Sequence, residues 1–194
     1  MSTAKTDPER AVDEFIAVAD LLDEPRLARL YTHVLRGDDL TIDDIVAETD
    51  IPRTTAYSDA ASLVDLGVLT RDDTQKTHTY TAHPVVLTMV LDEGEYTISP
   101  TFIDAIGRLP RDQDLSLLVE KHGVGKLAAA LTYAIPYTDG EMTERIAARE
   151  LNLQPAFGIA VLHALQAVVL DMEAYDPYFD QLWNARDTPP REDG

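Results

Sequence analysis

Residues 40–83 read LTIDDIVAETDIPRTTAYSDAASLVDLGVLTRDDTQKTHTYTAH, and the spacing of their apolar residues changes at Gly67. Before this glycine the apolar residues recur every three or four positions, which is typical of one face of a helix. After it, apolar and polar residues alternate as they do in strands. The predicted elements are a short helix over 41–49, a turn at 50–51, a longer helix over 52–66, and two strands over 68–71 and 77–82.

Each predicted helix has a recognisable start and a face for the core. Thr41 has the N-cap position of the short helix, and Asp44 follows at the spacing of a capping box. Pro52 suits the first turn of the longer helix, because a proline there loses no hydrogen bond. The side chains expected in the core are Ile42, Ile45, Val46, Ala56, Ala60 and Leu63.

The opposite face of the longer helix is polar. Thr54, Ser58 and Ala61 project away from the core, and Arg53 and Tyr57 flank them. No Asp or Glu occurs from 51 to 58, although nearly one residue in five of the chain is acidic. Hydroxyl and guanidinium groups on the first turns of a helix suit the major groove of DNA, where they reach base edges and phosphates.

The chain as a whole is strongly acidic. Its 194 residues include 35 Asp or Glu and 16 Lys or Arg, which gives a net charge of −19. Such a charge repels DNA and anionic membranes, yet the acid is spread evenly, is rich in Asp, and comes with only four Lys. That pattern is typical of halophile proteins, in which surface carboxylates keep the protein hydrated in molar salt. Net charge is therefore weak evidence about partners.

Composition excludes several other classes. Hydrophobic residues make up 45% of the chain, enough to form a core, and there is no cysteine for a disulfide, a thiolate nucleophile or a Cys-based metal site. No apolar run reaches about 18 residues, and the N-terminus is polar, so we expect neither a membrane span nor a signal peptide. A cytoplasmic protein is the expectation.

The rest of the chain is predicted to be mostly helical. Helices are expected to begin at Pro8 and at Arg26, and a second hairpin is expected from 85–91 to 95–98. Later helices are predicted over 101–109, 115–122, 124–135, 143–151 and 155–172.

The segment Leu40–His83 resembles the winged helix-turn-helix of archaeal TrmB-like and ArsR-like transcriptional regulators. The residues that carry the resemblance are Ile45-Val46-Ala47, Ile51 to Tyr57, Leu63 to Leu69, and Tyr80. The resemblance covers about 58 residues when the helix from Arg26 is counted. It implies a recognition helix at 52–66 and a wing formed by the two strands.

From the resemblance and the polar helix face we expect a sequence-specific regulator that binds double-stranded DNA. The expected base-side contacts are Thr54, Thr55, Tyr57 and Ser58, with Arg53 on a phosphate or a guanine, and Arg71, Lys76 and His78 on the wing. A palindromic operator would match a homodimer. A small-molecule effector is compatible with this reading, and nothing in the sequence specifies one.

A second function class stays open, because winged helices also serve as protein–protein modules. Asp72 and Asp73 stand at the predicted wing tip, and Asp43 and Asp44 stand near the start of the short helix, where phosphate would dock. Residues 26–83 carry 6 basic and 10 acidic residues, a charge of −4. No nucleophile–base pair, metal-ligand spacing or cofactor motif is recognisable, so we expect no enzyme, no metal and no cofactor.

A weaker pattern suggests an internal repeat. With a shift of about 100 residues, 126–135 aligns with 26–35, and 143–153 aligns with 41–51. The pattern indicates either a degenerate second helix-turn-helix or a chance similarity of helix pairs. Its second helix, 154–169, is apolar nearly all round, so we expect it in a core or in a dimer interface. Arg145 and Arg149 leave a residual possibility of DNA contact there.

The predicted organisation is mainly α with a small β-hairpin wing. It comprises an N-terminal helix in 1–25 for packing or dimerisation, a winged helix-turn-helix in 26–84, a mostly helical domain in 85–187 for dimerisation or an effector, and a disordered tail in 188–194. The aromatic residues Tyr175, Tyr178, Phe179 and Trp183 are expected to anchor the end of the chain.

Overall fold

A computed structural model describes residues 8–74, 76–91 and 94–179, and within these residues the protein is mainly helical with two small antiparallel sheets. The predicted tail, Gln75 and Trp183 lie outside the described residues. In chain order the elements are α1 (Pro8–Asp23), α2 (Pro25–Arg36), β1 (Leu40–Thr41), α3 (Ile42–Thr49), α4 (Arg53–Asp65), β2 (Leu69–Asp72), β3 (Thr79–Ala82), β4 (Leu87–Leu91), β5 (Gly94–Ile98), α5 (Pro100–Arg108), α6 (Gln113–His122), α7 (Val124–Thr138), α8 (Glu144–Glu150) and α9 (Pro155–Met172).

The predicted helices and both predicted hairpins are present, and three details differ from the sequence expectation. β1 was not predicted, since it is only two residues long and pairs with the distant β3. α7 continues past Ile135 to Thr138 with Pro136 inside it. On α1 the helical spacing of apolar residues predicts a face that includes Val12, Phe15 and Ile16, but these side chains are exposed and the buried ones are Ala17, Val18 and Leu21.

α2 is the central helix of the N-terminal half. It packs against α1, α3, α4, α5 and β3, and its Leu30, Tyr31 and Val34 are completely buried. The Tyr31 hydroxyl donates to the carbonyl oxygen of His83 at 2.8 Å and accepts from the backbone N–H of Val85 at 3.0 Å. These bonds hold the chain that leaves β3 against the helical core.

The predicted capping box at the start of α3 is present. The Thr41 hydroxyl accepts from the backbone N–H of Asp44, and the Asp44 carboxylate accepts from the backbone N–H and hydroxyl of Thr41, at 2.9 and 2.6 Å. Thr41 also belongs to β1, which pairs with β3 in a sheet of order β1-β3-β2. The β2–β3 hairpin is therefore tied directly to the start of α3.

In the C-terminal half, α9 packs against α5, α6, α7 and α8. α5 also packs against α1 and α2, so it joins the two halves. The buried Asp176 carboxylate follows α9 and accepts hydrogen bonds from the start of α5: from the Ser99 hydroxyl at 2.6 Å and from the backbone N–H of Thr101 at 2.9 Å. α9 is long and apolar enough to cross a membrane. A core helix meets the same criterion, and the buried side chains of α9 face its four neighbours.

The trio α7–α8–α9 repeats backbone features of the trio α2–α3–α4 at a shift of 102 residues. Asp50 and Asn152 both adopt left-handed φ values, 56° and 51°, after the middle helix. The residues preceding the third helix are also alike, with φ/ψ of −58°/139° at Pro52 and −57°/130° at Gln154. The two turns between middle and third helix thus have closely similar backbone conformations.

Candidate functional site

The N-terminal half of α4 presents a polar surface. Arg53, Thr54, Tyr57 and Ser58 are exposed, and we call these four side chains the α4 face. Ala56, Ala60 and Leu63 on the opposite side are completely buried. Thr55, the fifth residue expected in this group, is half-buried and lies toward the edge of the face.

A buried acid fixes α4 to α2. Asp59 is 6% exposed, and its carboxylate accepts from the Arg26 Nε at 2.7 Å and from the Arg26 Nη2 at 3.3 Å. The side-chain interaction with Asp59 is the largest cause that raises the pKa of Arg26. The pairing of Arg26 with Asp59 is not among the contacts expected from the sequence. The available signal was an acidic residue between Ala56 and Ala60, on the core side of the helix.

Arg53 has two intramolecular partners. Its guanidinium forms an ion pair with the Asp43 carboxylate on α3 and lies 5.7 Å from the ring centroid of Tyr57. Interactions with Tyr57 and then with Asp43 raise the pKa of Arg53. Through Asp43, Arg53 therefore links the start of α4 to the first turn of α3.

Of the three basic residues expected on the β2–β3 hairpin, Arg71 and His78 both contact the Asp73 carboxylate. The Arg71 Nε and Nη2 donate to the two oxygens of Asp73 at 2.7 and 2.9 Å, and the Nδ1 of His78 lies 2.8 Å from Asp73 Oδ1. The Arg71 side chain is the main cause that lowers the pKa of Asp73. Lys76 is exposed, and within the described part of the hairpin it has no ion-pair partner.

Tyr80 connects the α4 face to the hairpin. It is buried on β3 directly opposite Arg71 of β2. Burial raises the pKa of Tyr80, Arg71 acts against that rise, and Tyr57 adds to it. Tyr80 on β3 therefore lies within electrostatic range of Arg71 on β2 and of Tyr57 on α4.

The turn between α3 and α4 is held from the other half of the chain. The Nη2 of Arg111 donates to the carbonyl oxygen of Thr49 at 2.8 Å and to the Asp50 carboxylate at 2.7 Å. Asp50 ends α3 in the left-handed conformation. No local sequence signal links Arg111 to a turn 61 residues earlier, so this contact cannot be predicted from the sequence.

The weaker motifs do not gather into a reactive centre. Gly123 ends α6 and precedes α7 with φ 81°, so the Gly-Val-Gly-Lys stretch at 123–126 is a break between two helices. Among the residues that the structure describes, no group of three or more His, Asp or Glu side chains is placed to hold a metal ion.

One comparison with known proteins gives a match. A model of a family of unknown function (DUF7437) matches residues 109–174, about a third of the chain. The matched region contains α6 to α9 and leaves out α4 and the β2–β3 hairpin. No curated protein and no solved structure matches the chain.

Proposed function

We propose that residues 26–84 form a winged helix-turn-helix that binds double-stranded DNA sequence-specifically, and that the protein regulates transcription in the cytoplasm of a halophilic archaeon. The observation that carries the proposal is the α4 face, which is exposed, rich in hydroxyl groups and free of acid. The order of α3, a tight turn, α4 and a hairpin supports it, because that order is the one found in winged helices. The Asp-rich, Lys-poor composition supports the halophilic origin.

In this proposal the first turns of α4 enter the major groove. Thr54, Tyr57 and Ser58 contact base edges, since they are the exposed side chains nearest the start of the helix. Thr55, which is half-buried, contributes a hydroxyl contact to phosphate at the groove edge. Arg53 binds a phosphate or a guanine after it leaves Asp43.

The β2–β3 hairpin acts as the wing. Arg71, Lys76 and His78 contact the DNA backbone beside the groove. Arg71 and His78 must first break their contacts with Asp73, and Arg53 must break its ion pair with Asp43. All of these side chains are substantially exposed, and exposed ion pairs are weak, so a DNA phosphate can replace the carboxylates.

We propose that α7–α8–α9 is a second, wingless helix-turn-helix with a structural role. The matching turn conformations at Asp50 and Asn152 support the relationship. The start of α9 carries Pro155, Ala156 and Phe157 where α4 carries Arg53, Thr54 and Thr55, so it lacks groups that read bases. Arg145 and Arg149 are both exposed on α8, and the Nη2 of Arg149 donates to the Glu150 carboxylate at 2.9 Å.

The experiment measures binding to the protein's own promoter region in molar KCl by fluorescence anisotropy, with unrelated DNA as competitor. The wild type should select the promoter, and Arg53→Ala and Tyr57→Ala should each weaken binding by about tenfold or more. Tyr96→Ala is the matched control, because Tyr96 on β5 and Tyr57 are both 45% exposed. If the wild type shows no preference over competitor DNA, the proposal fails.

The second candidate is a winged-helix module that binds another protein of a transcription complex. The pairing of Arg53 with Asp43, and of Arg71 and His78 with Asp73, favours it, since the donors of these side chains already have carboxylate partners. This candidate predicts a stable protein partner and no change in that association on Arg53→Ala. Co-purification with crosslinking to protein and to DNA separates the two candidates.

A further inference from the structure

An open cavity of about 360 Å³ lies where α2, α5 and α9 meet the segment between α5 and α6. Four of the twelve arginines of the chain line it: Arg29, Arg36, Arg108 and Arg111. Such a concentration of guanidinium groups is unusual in a chain of net charge −19. The cavity is separate from the α4 face and from the wing.

Two carboxylates of the cavity lining neutralise one side of it. Asp104 lies 2.6 Å from the Nη2 of Arg108 and 3.7 Å from the Nη2 of Arg36. Asp171 on α9 lies 2.7 Å from the Nη2 of Arg108. Burial acts to lower the pKa of Arg108, and the two carboxylates more than offset it, so that this pKa is raised.

On the other side of the cavity, a third carboxylate, Asp112, accepts backbone N–H groups of α6, and Arg29 has no ion-pair partner among the described residues. The Nε of Arg29 is buried and has no hydrogen-bond partner among the described residues. Burial lowers the pKa of Arg29, and the nearby positive charge of Arg111 lowers it further. The Nη2 of Arg111 donates to the Thr49 carbonyl oxygen and to the Asp50 carboxylate, neither of which lines the cavity. Arg29 and Arg111 therefore both line this side of the cavity, and one buried donor of Arg29 has no hydrogen-bond partner among the described residues.

Beside Arg29 the backbones of α2 and α5 are in close contact. Gly107 brings the backbone of α5 so close to α2 that an added Cβ would lie 2.9 Å from the backbone nitrogen of Arg29. The close helix contact fixes where the Arg29 side chain leaves α2. A buried cationic donor in a fixed position is what an anion-binding site requires, because no reorganisation has to accompany binding.

We propose that this cavity binds a small oxyanion, a phosphate or carboxylate group, between Arg29 and Arg111. Arginine is suited to both groups, since its planar donors bind two oxygens at once. An anion placed there accepts from guanidinium nitrogens of Arg29 and Arg111, which both line the cavity, and offsets the positive charge of Arg111 beside Arg29. The volume is in the range of sites for small metabolites.

The test is isothermal titration calorimetry of the full chain with inorganic phosphate and, separately, with succinate, with KCl adjusted to keep ionic strength constant. We expect saturable binding of at least one probe, and the probe that binds identifies the phosphate or the carboxylate as the recognised group. Arg29→Gln should weaken binding by about tenfold or more. Arg145→Gln, which removes an exposed arginine on α8, should bind as the wild type does.

Circular dichroism verifies that Arg29→Gln is folded. Should it not fold, Arg111→Gln replaces it, because the Arg111 side chain is at the open rim. Absence of saturable binding with both probes overturns the proposal, as does wild-type affinity in the folded arginine variants. None of these outcomes depends on whether the protein binds DNA.

Discussion

At the scale of single residues, Asp73 contacts two of the basic side chains of the proposed wing. It accepts both donors of Arg71 and lies beside His78, so in the proposed complex it competes with DNA phosphate for both. Asp73→Asn removes that competition, and we predict a gain in promoter affinity of roughly two- to fivefold at moderate salt. The measurement is the same anisotropy titration.

Asp72→Asn is the matched control for this prediction. It removes the same charge one residue away, from a carboxylate that accepts the backbone N–H of Thr74 and has no ion-pair partner among the described residues. If both variants gain equally, general charge rather than release of Arg71 and His78 explains the effect. If neither gains, the wing does not contact DNA as proposed.

His33 on α2 gives a prediction about pH. Its Nε2 is buried without a hydrogen-bond partner among the described residues, and burial is the main cause that lowers the pKa of His33 below its usual 6.5. Arg36 lowers it too, while Glu48 and Asp44 act in the opposite direction. As pH falls below the unfolded-state pKa of about 6.5, the unfolded chain takes up a proton before the folded chain does, which destabilises the folded state.

We therefore predict that the wild type loses stability relative to His33→Gln as pH falls from neutrality through this range. The difference stops growing below the lowered pKa of the folded state, where His33 is protonated in both states. Urea unfolding of both proteins across the pH series measures it. Parallel stability profiles of the two proteins contradict the assigned role of His33.

At the scale of elements, the contact between α5 and α2 depends on Gly107. A Cβ there would lie 2.9 and 3.0 Å from backbone atoms of Arg29, so one helix must shift. Alanine has a higher helix propensity than glycine, but the free-energy cost of overpacking a fixed backbone contact is larger than that gain. We predict that Gly107→Ala lowers the free energy of unfolding by about 1–2 kcal/mol.

Gly125→Ala is the control for that substitution. Gly125 is also helical, on α7, and an added Cβ has nothing within 4 Å. This variant should be as stable as the wild type or more stable by about 0.5–1 kcal/mol. Denaturant unfolding at fixed KCl compares the three proteins. Equal stability of both variants would show that the α2–α5 contact adapts without cost.

Much of the element order follows from local sequence signals. The capping box of Thr41 and Asp44, the helix-ending Gly67 and the alternation after it predict α3, α4 and the β2–β3 hairpin to within a few residues. The exposure of Thr54, Tyr57 and Ser58 follows from helical periodicity once Ala56, Ala60 and Leu63 are assigned to the core. These features depend on residues that are neighbours along the chain, so they can be predicted from the sequence alone.

The remaining features depend on distant partners. β1 exists because Leu40 and Thr41 pair with Tyr80 and Thr79. The contact of Arg111 with Asp50, 61 residues apart, cannot be read from spacing. Asp43 and Asp73 were recognised as a conflict with phosphate binding, but their pairing with Arg53 and with Arg71 required the three-dimensional arrangement. The location of the proposed surface can therefore be predicted from the sequence, whereas the pairing of its arginines with aspartates cannot.

At the scale of the whole molecule, α1 leaves an apolar surface open. Val12, Phe15 and Ile16 are exposed, while the other side of α1 packs against α2 and α5. We predict a homodimer through this surface, and we expect Phe15→Glu to convert it to a monomer in light scattering coupled to size exclusion. Leu170→Glu is the matched control, because Leu170 on α9 is also 56% exposed. A monomeric wild type, or a monomer produced by Leu170→Glu alone, contradicts the assignment.

The charge of −19 determines how DNA binding should respond to salt. In conventional DNA-binding proteins, Lys and Arg release cations from the DNA, so affinity falls steeply as salt rises. In the proposed complex Arg53 and Arg71 each leave an aspartate to bind phosphate, and that aspartate then attracts a cation from solution. Uptake of cations by the protein offsets their release from DNA.

We predict that promoter affinity depends weakly on KCl, or rises with it, and that the double variant Asp43→Asn, Asp73→Asn has a steeper loss of affinity with salt. Anisotropy titrations over a KCl series measure both slopes, and a steep conventional loss in the wild type would contradict the exchange of carboxylate for phosphate.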